Sequence, residues 1–268
     1  MISHAKKLFL LTLTVLTVLT ASFVNGQDGR FVRETVQRVI DGDTVEISGG
    51  DRVRLLGIDA PEKGEPISAL ATDRLKVLIA SRFVTLEVCE DRDIYGRLLA
   101  TVRVDSSNIN SIMLTEGMAL PMLIPPCGRP VAGDVLEAAV QGALSGKGIY
   151  SLEEYVIVSH AEAGEHIGEN SVVRGKILNL HRGKKALQLN FGVDWKTDFT
   201  AVLFREGQQR FRDLGIDPAD LVGFEVLVIG KVKRYNGPEI IIRGPDQILP
   251  LSPITIQDSR FPSAGSGP

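Results

Sequence analysis

The stretch Arg38–Ile47, RVIDGDTVEI, decides how the chain is read. Two runs of β-type residues flank Asp41-Gly42-Asp43-Thr44. Asp-Gly between alternating apolar residues is a hairpin signal, because glycine tolerates φ > 0. A turn needs only one aspartate. The second, Asp43, stands where the next strand should begin, and strands are depleted in Asp. The stretch is therefore either a plain hairpin or a hairpin with an acid placed for another purpose.

Outward from it, FVRETVQRVI, TVEIS and RVRLLGI read as three strands. EPISALATDRLKVLIA places Ala69, Leu70, Leu75 and Leu78 near helical spacing and predicts a helix. FVTLEV and LLATVRV are strands again, and INSIMLTEGM and GDVLEAAVQGALS are helices. Residues 156–169, rich in charge and glycine, read as a linker. A second block over 170–250 repeats the order, with strands at SVVRGKILNL, KALQLNFG, FTAVLF, FEVLVIGKV and EIIIR and a helix at GQQRFRDLG. Five strands with a helix after the third is the pattern of an OB-type barrel. The expected fold class is mainly β (α+β), with two OB-like five-stranded barrels. Residues 251–268 are rich in Pro, Ser and Gly and are expected to form a flexible tail.

The N-terminus has its own logic. Lys6 and Lys7 precede an apolar run from Leu8, and Val24-Asn25-Gly26 offers a small-x-small cleavage site. This is the anatomy of a secretory signal peptide over residues 1–26; the alternative is an uncleaved membrane anchor. Export places the mature domain, from residue 27, in a secreted or periplasmic setting, with no stable membrane anchoring after cleavage. Losing Lys6 and Lys7 takes the formal net charge from −3 to −5. Bulk positive charge is thus excluded as the means of holding a polyanion. Oxidising surroundings allow a Cys89–Cys127 disulfide, and two unpaired thiols remain the alternative. The four histidines show no metal-ligand spacing.

Chemistry concentrates in RVRLLGIDAPE, residues 52–62. Arg54 lies in the strand, Asp59 ends it, Pro61 forces the chain out of the sheet and Glu62 follows on the turn. Asp43 and Asp59 form an all-oxygen pair that suits Ca²⁺ and not a softer metal. DRDIYGRLLA then puts Tyr95-Gly96-Arg97 at a hairpin mouth, where an arginine can meet a phosphate in bidentate fashion. The plain alternative is that Arg54 and Arg97 neutralise the acids in ordinary ion pairs.

VIDGDTVEI, RVRLLGIDAPE and DIYGRLLA, in that order, resemble the staphylococcal-nuclease (thermonuclease) family over about residues 31–151. The resemblance implies an OB barrel with added helices over residues 27–155, acting as an endonuclease on DNA and/or RNA to leave 3′-phosphate ends. It implies Ca²⁺ held by Asp43, Asp59 and the backbone carbonyl of Ala60. It also implies Glu62 acting on water, Arg54 and Arg97 stabilising the transition state, and Tyr95 touching substrate. The regions of Cys89 and Cys127 approach one another in that fold, which favours the disulfide. The chain departs from the best-known member at Ala60, where Thr is usual, and in GMALPMLIPP, which lacks two tyrosines.

The second block differs in charge: residues 165–250 sum to +2 and residues 27–164 to −7. Its positive charge gathers at two turns, with Arg182, Lys184 and Lys185 in one and Lys233, Arg234 and Tyr235 in the other. In OB barrels these loops flank an oligonucleotide face, and Phe191, Trp195, Phe199 and Phe204 add aromatic surface. The alternative is solubilising lysines over core phenylalanines. The chain is expected to act as a monomer, and the rival reading is a non-catalytic OB-fold binder of nucleic acid or protein.

Overall fold

A computed structural model describes residues 30–194 and 196–254. The expected leader, residues 255–268 of the expected tail, and Trp195 lie outside the described residues. Along the first block run β1 (Arg30–Val39), β2 (Thr44–Ile47), β3 (Arg52–Leu55), β4 (Gly57–Asp59), α1 (Ser68–Ile79), β5 (Phe83–Arg92), β6 (Leu98–Val104), β7 (Ser107–Asn108), α2 (Ile109–Thr115), β8 (Leu120–Met122) and α3 (Gly128–Ser145).

The period-2 apolar pattern sends Val45, Val53, Leu55, Leu86, Ala100 and Val102 inward to one core. β1 is long enough to pair with β2 at one end (Val39 opposite Val45) and with β5 at the other (Arg30 opposite Val88). β5 pairs with β6, and β3 pairs parallel to β6, which closes a five-stranded barrel. α1 packs Ala71, Leu75 and Ile79 inward. α2 is N-capped by Asn108, which accepts from Ser111 N–H. α3 starts at Gly128, five residues ahead of the expected helix, and ends at Gly146 in a left-handed C-cap (φ 62°).

One expected strand is broken. RVRLLGI divides after Leu55, and Gly57 takes φ 83°. A Cβ there would lie 2.4 Å from Val135 Cγ2, so the position needs glycine for its φ and for its space. The break sends β4 out of the barrel to pair with β8, with Asp59 opposite Leu120. Buried Asn110 satisfies the backbone at the break. Its amide donates to Leu56 O (2.7 Å) and Ala100 O (3.2 Å) and accepts from Val102 N–H (2.9 Å). Cys89 in β5 and Cys127 before α3 are joined in a disulfide.

The second block contains β9 (Ile157–Ser159), β10 (Asn170–Lys176), β11 (Asn179–Arg182), β12 (Ala186–Asn190), β13 (Thr200–Phe204), α4 (Arg205–Asp213), β14 (Glu225–Tyr235), β15 (Gly237–Ile242) and β16 (Ile248–Pro250). The stretch read as a linker is folded: β9 lies parallel to β10, and a 3-10 turn buries Ala163. The sheet order is β11-β12-β13-β15-β14-β10-β9, with β13 parallel to β15. β10 and β11 are separated only by Ile177 and Leu178.

The blocks share one continuous apolar core. A polar clamp adds to it at Leu123, just past β8. The Leu123 N–H donates to Asp246 (3.3 Å), Arg210 donates to Leu123 O (2.9 Å), and Arg210 pairs with Asp246 (3.3 Å). Among the described residues no helix is long and apolar enough to cross a membrane.

The disulfide bridges a sequence separation of 38 residues. Replacing both cysteines by serine is expected to lower unfolding stability by about 2–4 kcal/mol, chiefly by freeing the unfolded chain. Urea denaturation of the two forms measures it; an unchanged midpoint would contradict the expectation.

Candidate active site around Arg54

The site begins in the β1–β2 turn. Asp41 Oδ1 accepts from the N–H groups of Asp43 (3.1 Å) and Thr44 (2.7 Å), and Ile40 N–H donates to Thr44 O (2.9 Å). Asp41 thus builds the turn with its side chain. The reason for Gly42 differs from the one expected, since it is not among the residues with positive φ. A Cβ there would sit 2.6 Å from Ala60 Cβ and 2.9 Å from Ala71 Cβ. Gly42 is small so that the turn can press against the segment carrying Ala60.

That pressure buries Asp43. Its Oδ2 accepts from Ala60 N–H (2.7 Å) and lies 3.1 Å from Arg54 Nη1; its Oδ1 accepts from Thr44 Oγ1 (3.0 Å). Arg54 is also buried. It donates through Nη1 to Ile58 O (2.6 Å) and Leu55 O (3.2 Å), and through Nη2 to Asp59 Oδ1 (2.8 Å). One guanidinium therefore bridges the two aspartates singled out in the sequence. Burial raises the Asp43 carboxyl to about 6 despite the opposing pull of Arg54. Burial also raises Asp59, Arg54 opposes it, and negative charge on Glu62, Glu65 and Asp246 adds to the rise.

Arg97 is placed from the other side. It does not neutralise Asp43 or Asp59; its ion-pair partner is Asp93, with Nε 2.6 Å from Oδ2. Asp93 Oδ1 also accepts from the N–H groups of Tyr95 (3.0 Å) and Arg97 (2.9 Å). Burial acts to raise Asp93, but these bonds hold it below its usual range. Arg97 Nη1 donates to Thr44 Oγ1 (3.3 Å), and its Cζ lies 5.3 Å from the centre of the exposed Tyr95 ring. A polar chain thus runs Asp93–Arg97–Thr44–Asp43–Arg54–Asp59. Glu62 is exposed beside it, its N–H taken by Glu65 Oε2 (2.8 Å) and its carboxylate electrostatically close to Asp59. Thr44, Asp93, Glu65 and Asp246 carry no sequence signal of their own; only the RVIDGDT and DRDIYGR contexts hint at the first two.

The donor set is all oxygen: two carboxylates, with the Ala60 carbonyl in the same segment. Among the described residues no three His, Cys, Asp or Glu side chains form a closed metal cage. The set fits a hard cation that keeps several waters, since two acids share one guanidinium and burial leaves Asp43 under-compensated.

The second-block candidates Arg182, Lys184, Lys185, Lys233, Arg234 and Tyr235 are all exposed, and none bonds to the Arg54 group among the described residues. Ala186 lies opposite Phe204, and Thr200 opposite Glu239, so the two basic turns sit at opposite ends of β13. Phe191 and Phe199 are core, whereas Phe204 is half exposed.

The family model for "Staphylococcal nuclease homologue" matches residues 52–147, which include Arg54, Asp59, Glu62 and Arg97. The chain is 35% identical over 130 residues to a thermonuclease of Staphylococcus intermedius, covering 41% of this chain and 77% of that protein. The chain belongs to the staphylococcal nuclease family. It is also 42% identical over 88 residues to an uncharacterized endonuclease of Escherichia coli O157:H7, covering 31% of this chain and 57% of the relative. A micrococcal nuclease of Shigella flexneri is 37% identical over 99 residues, covering 32% of this chain and 56% of that protein. The chain thus spans little more than half the length of several relatives it matches. The family match starts at β3 and ends within the loop after α3, so it covers most of the first block, and β1, β2 and Asp43 precede it.

Arg54→Met removes the shared cation and leaves a buried carboxylate unpaired. The expected loss is about 3 kcal/mol, the lower end for breaking a buried pair, because Asp59 is open to solvent on one side. Urea denaturation at pH 7 measures it, and a loss below about 1 kcal/mol would remove Arg54 from its structural role.

Proposed function

We propose that the chain is an exported, Ca²⁺-dependent endonuclease that hydrolyses DNA or RNA to 3′-phosphate ends. The observation that carries the reading is the Asp43–Arg54–Asp59 bridge with Arg97 joined to it through Thr44. Family membership and the endonuclease and thermonuclease relatives support it.

Glu62, exposed and next to Asp59, is the base that takes a proton from the attacking water. The water oxygen bonds to phosphorus, the bond from phosphorus to the 5′ oxygen breaks, and that oxygen leaves with a proton from solvent. Arg97 is fixed by Asp93 and Thr44, yet Nη2 has no partner among the described residues, so it can donate to an equatorial phosphate oxygen. Arg54 gives Nη1 and Nη2 to protein groups, so it holds Asp43 and Asp59 in place while its charge helps stabilise the transition state. Ca²⁺, held by Asp43, Asp59 and the Ala60 carbonyl, would supply further charge to the phosphate oxygens. Tyr95 lies on the exposed side of Arg97, where a nucleotide would pass.

Export rests on the leader pattern of residues 1–26 and is supported by the Cys89–Cys127 disulfide, which suits an oxidising compartment. The second block is read as an OB-type barrel over residues 170–250. Its order β11-β12-β13-β15-β14-β10, with β10 and β11 consecutive along the chain, supports closure. Its basic turns at opposite ends of β13 suit a strand lying across β12 and β13.

Cleavage of denatured DNA with added Ca²⁺, and none with chelator, is the expected result. Glu62→Ala and Arg97→Ala are each expected to lower the rate at least about 100-fold. Wild-type-like rates in both would sink the mechanism, and binding without turnover would place the chain among non-catalytic binders.

For the second block, replacing Lys184 and Lys185 by serine is expected to weaken single-strand binding. The slope of log affinity against log salt should become shallower by roughly 0.7 per lost contact. An unchanged salt slope would assign those lysines to solubility alone.

A further inference from the structure

A cleft of about 260 Å³ lies between the two blocks. It opens next to Asp59, because Leu120, on its wall, is the residue opposite Asp59 in the β4–β8 ladder. Asp59 and Tyr155 lie within electrostatic reach of each other, as do Asp59 and Asp246, and both partners line the cleft. The cleft therefore adjoins the proposed cleavage site and is made by both blocks together.

Its lining is selective in kind. Leu120, Pro121 and Ile229 give apolar walls, and Tyr155 adds an aromatic ring held edge-on by Tyr150 (centroids 5.9 Å apart). Ser171, 3% exposed, also lines the cleft and brings a hydroxyl-bearing residue to its wall. The side chains of Asn170 and Glu154 also line the cleft and are exposed, with Glu154 electrostatically close to Tyr155. Asp246 is already held by Arg210 and the Leu123 N–H. No lysine or arginine lines the cleft.

That composition excludes a phosphate, which the acids would repel. It suits a flat, partly apolar group with hydrogen-bonding edges and an N–H donor for Glu154. We propose that the cleft is a base subsite: it takes one nucleobase of the substrate next to the scissile phosphate and favours bases with an exocyclic amino group over thymine and uracil. Such a base would stack on the apolar and tyrosine walls, donate to Glu154 and engage Ser171 and Asn170 along its edge. The proposal rests on the nuclease reading above.

The test has one arm that needs no catalysis. Cytidine and thymidine are titrated calorimetrically into the full chain with chelator present. Cytidine is expected to bind at least about 5-fold more tightly, Tyr155→Leu to weaken cytidine roughly 10-fold, and Glu154→Ala to abolish the preference. In the second arm a random single-stranded oligonucleotide pool is cut with Ca²⁺ and the product ends are sequenced. The expected result is a bias against thymine at one fixed distance from the cut, flattened by Glu154→Ala. Asn170→Ala gives the same reading if Tyr155→Leu does not fold, because Asn170 is exposed. Cleavage without bias, together with no nucleoside preference, overturns the subsite and leaves the nuclease reading intact. Cytidine binding that Tyr155→Leu weakens, without any cleavage, overturns the nuclease reading and keeps the base pocket.

Discussion

Everything at the site depends on one buried guanidinium set between two carboxylates. An arginine has five N–H donors and cannot give up its charge, so burying it requires acceptors on several sides. Arg54 finds them in Asp43, Asp59 and the carbonyls of Leu55 and Ile58. Those acceptors come from the β1–β2 turn, from β3 and from β4. Only a chain that closes the barrel and then leaves it at Gly57 brings them to one point. The arrangement is thus both a consequence of the topology and a reason for it to persist. An alternative path for residues 56–59 would strand a charge.

The exit from the barrel is itself costly, because leaving a sheet frees backbone groups that must be paired again. Asn110 takes the freed Leu56 carbonyl and ties it to β6. β8 pairs with β4, and the next residue past β8, Leu123, is fixed through both its N–H and its C=O by Asp246 and Arg210 of the second block. The second block therefore braces the loop that braces Asp59. A boundary drawn between two independent modules would cut through this support and through a shared core.

The barrel strands were legible because the alternation of Val, Leu and Ile is strong over four or more residues. The acids and arginines of the site were legible because RVRLLGIDAPE and DIYGRLLA put charge where strands and turns usually avoid it. The three-residue strands β9 and β16 carry too little pattern to separate from loops. Gly42 is expected in the turn for its φ, but the structure needs it there for the close approach of Ala60, a residue well along the chain. Thr44 and Asp93 look like ordinary strand and turn residues until Arg97 is seen between them. Tyr155 and Asp246 meet Asp59 only through the packing of the two blocks, which no local pattern encodes.

Thr44 shows how the charges of the site are kept in order. Its hydroxyl has one proton and gives it to Asp43 Oδ1, so toward Arg97 it can only accept. The direction of the chain is thereby fixed, from the cation to the hydroxyl to the buried acid. Arg97 is neutralised locally by Asp93 and is not drawn into the Asp43–Asp59 pair, which leaves that pair one positive charge short. A valine would fill the same space and break the link, leaving Asp43 Oδ1 without its donor and Arg97 held by Asp93 alone. By standing between the second arginine and the buried acid, Thr44 keeps Arg97 and the Asp43–Arg54–Asp59 group apart yet within a single hydrogen-bonded chain, the separation that the proposed mechanism requires.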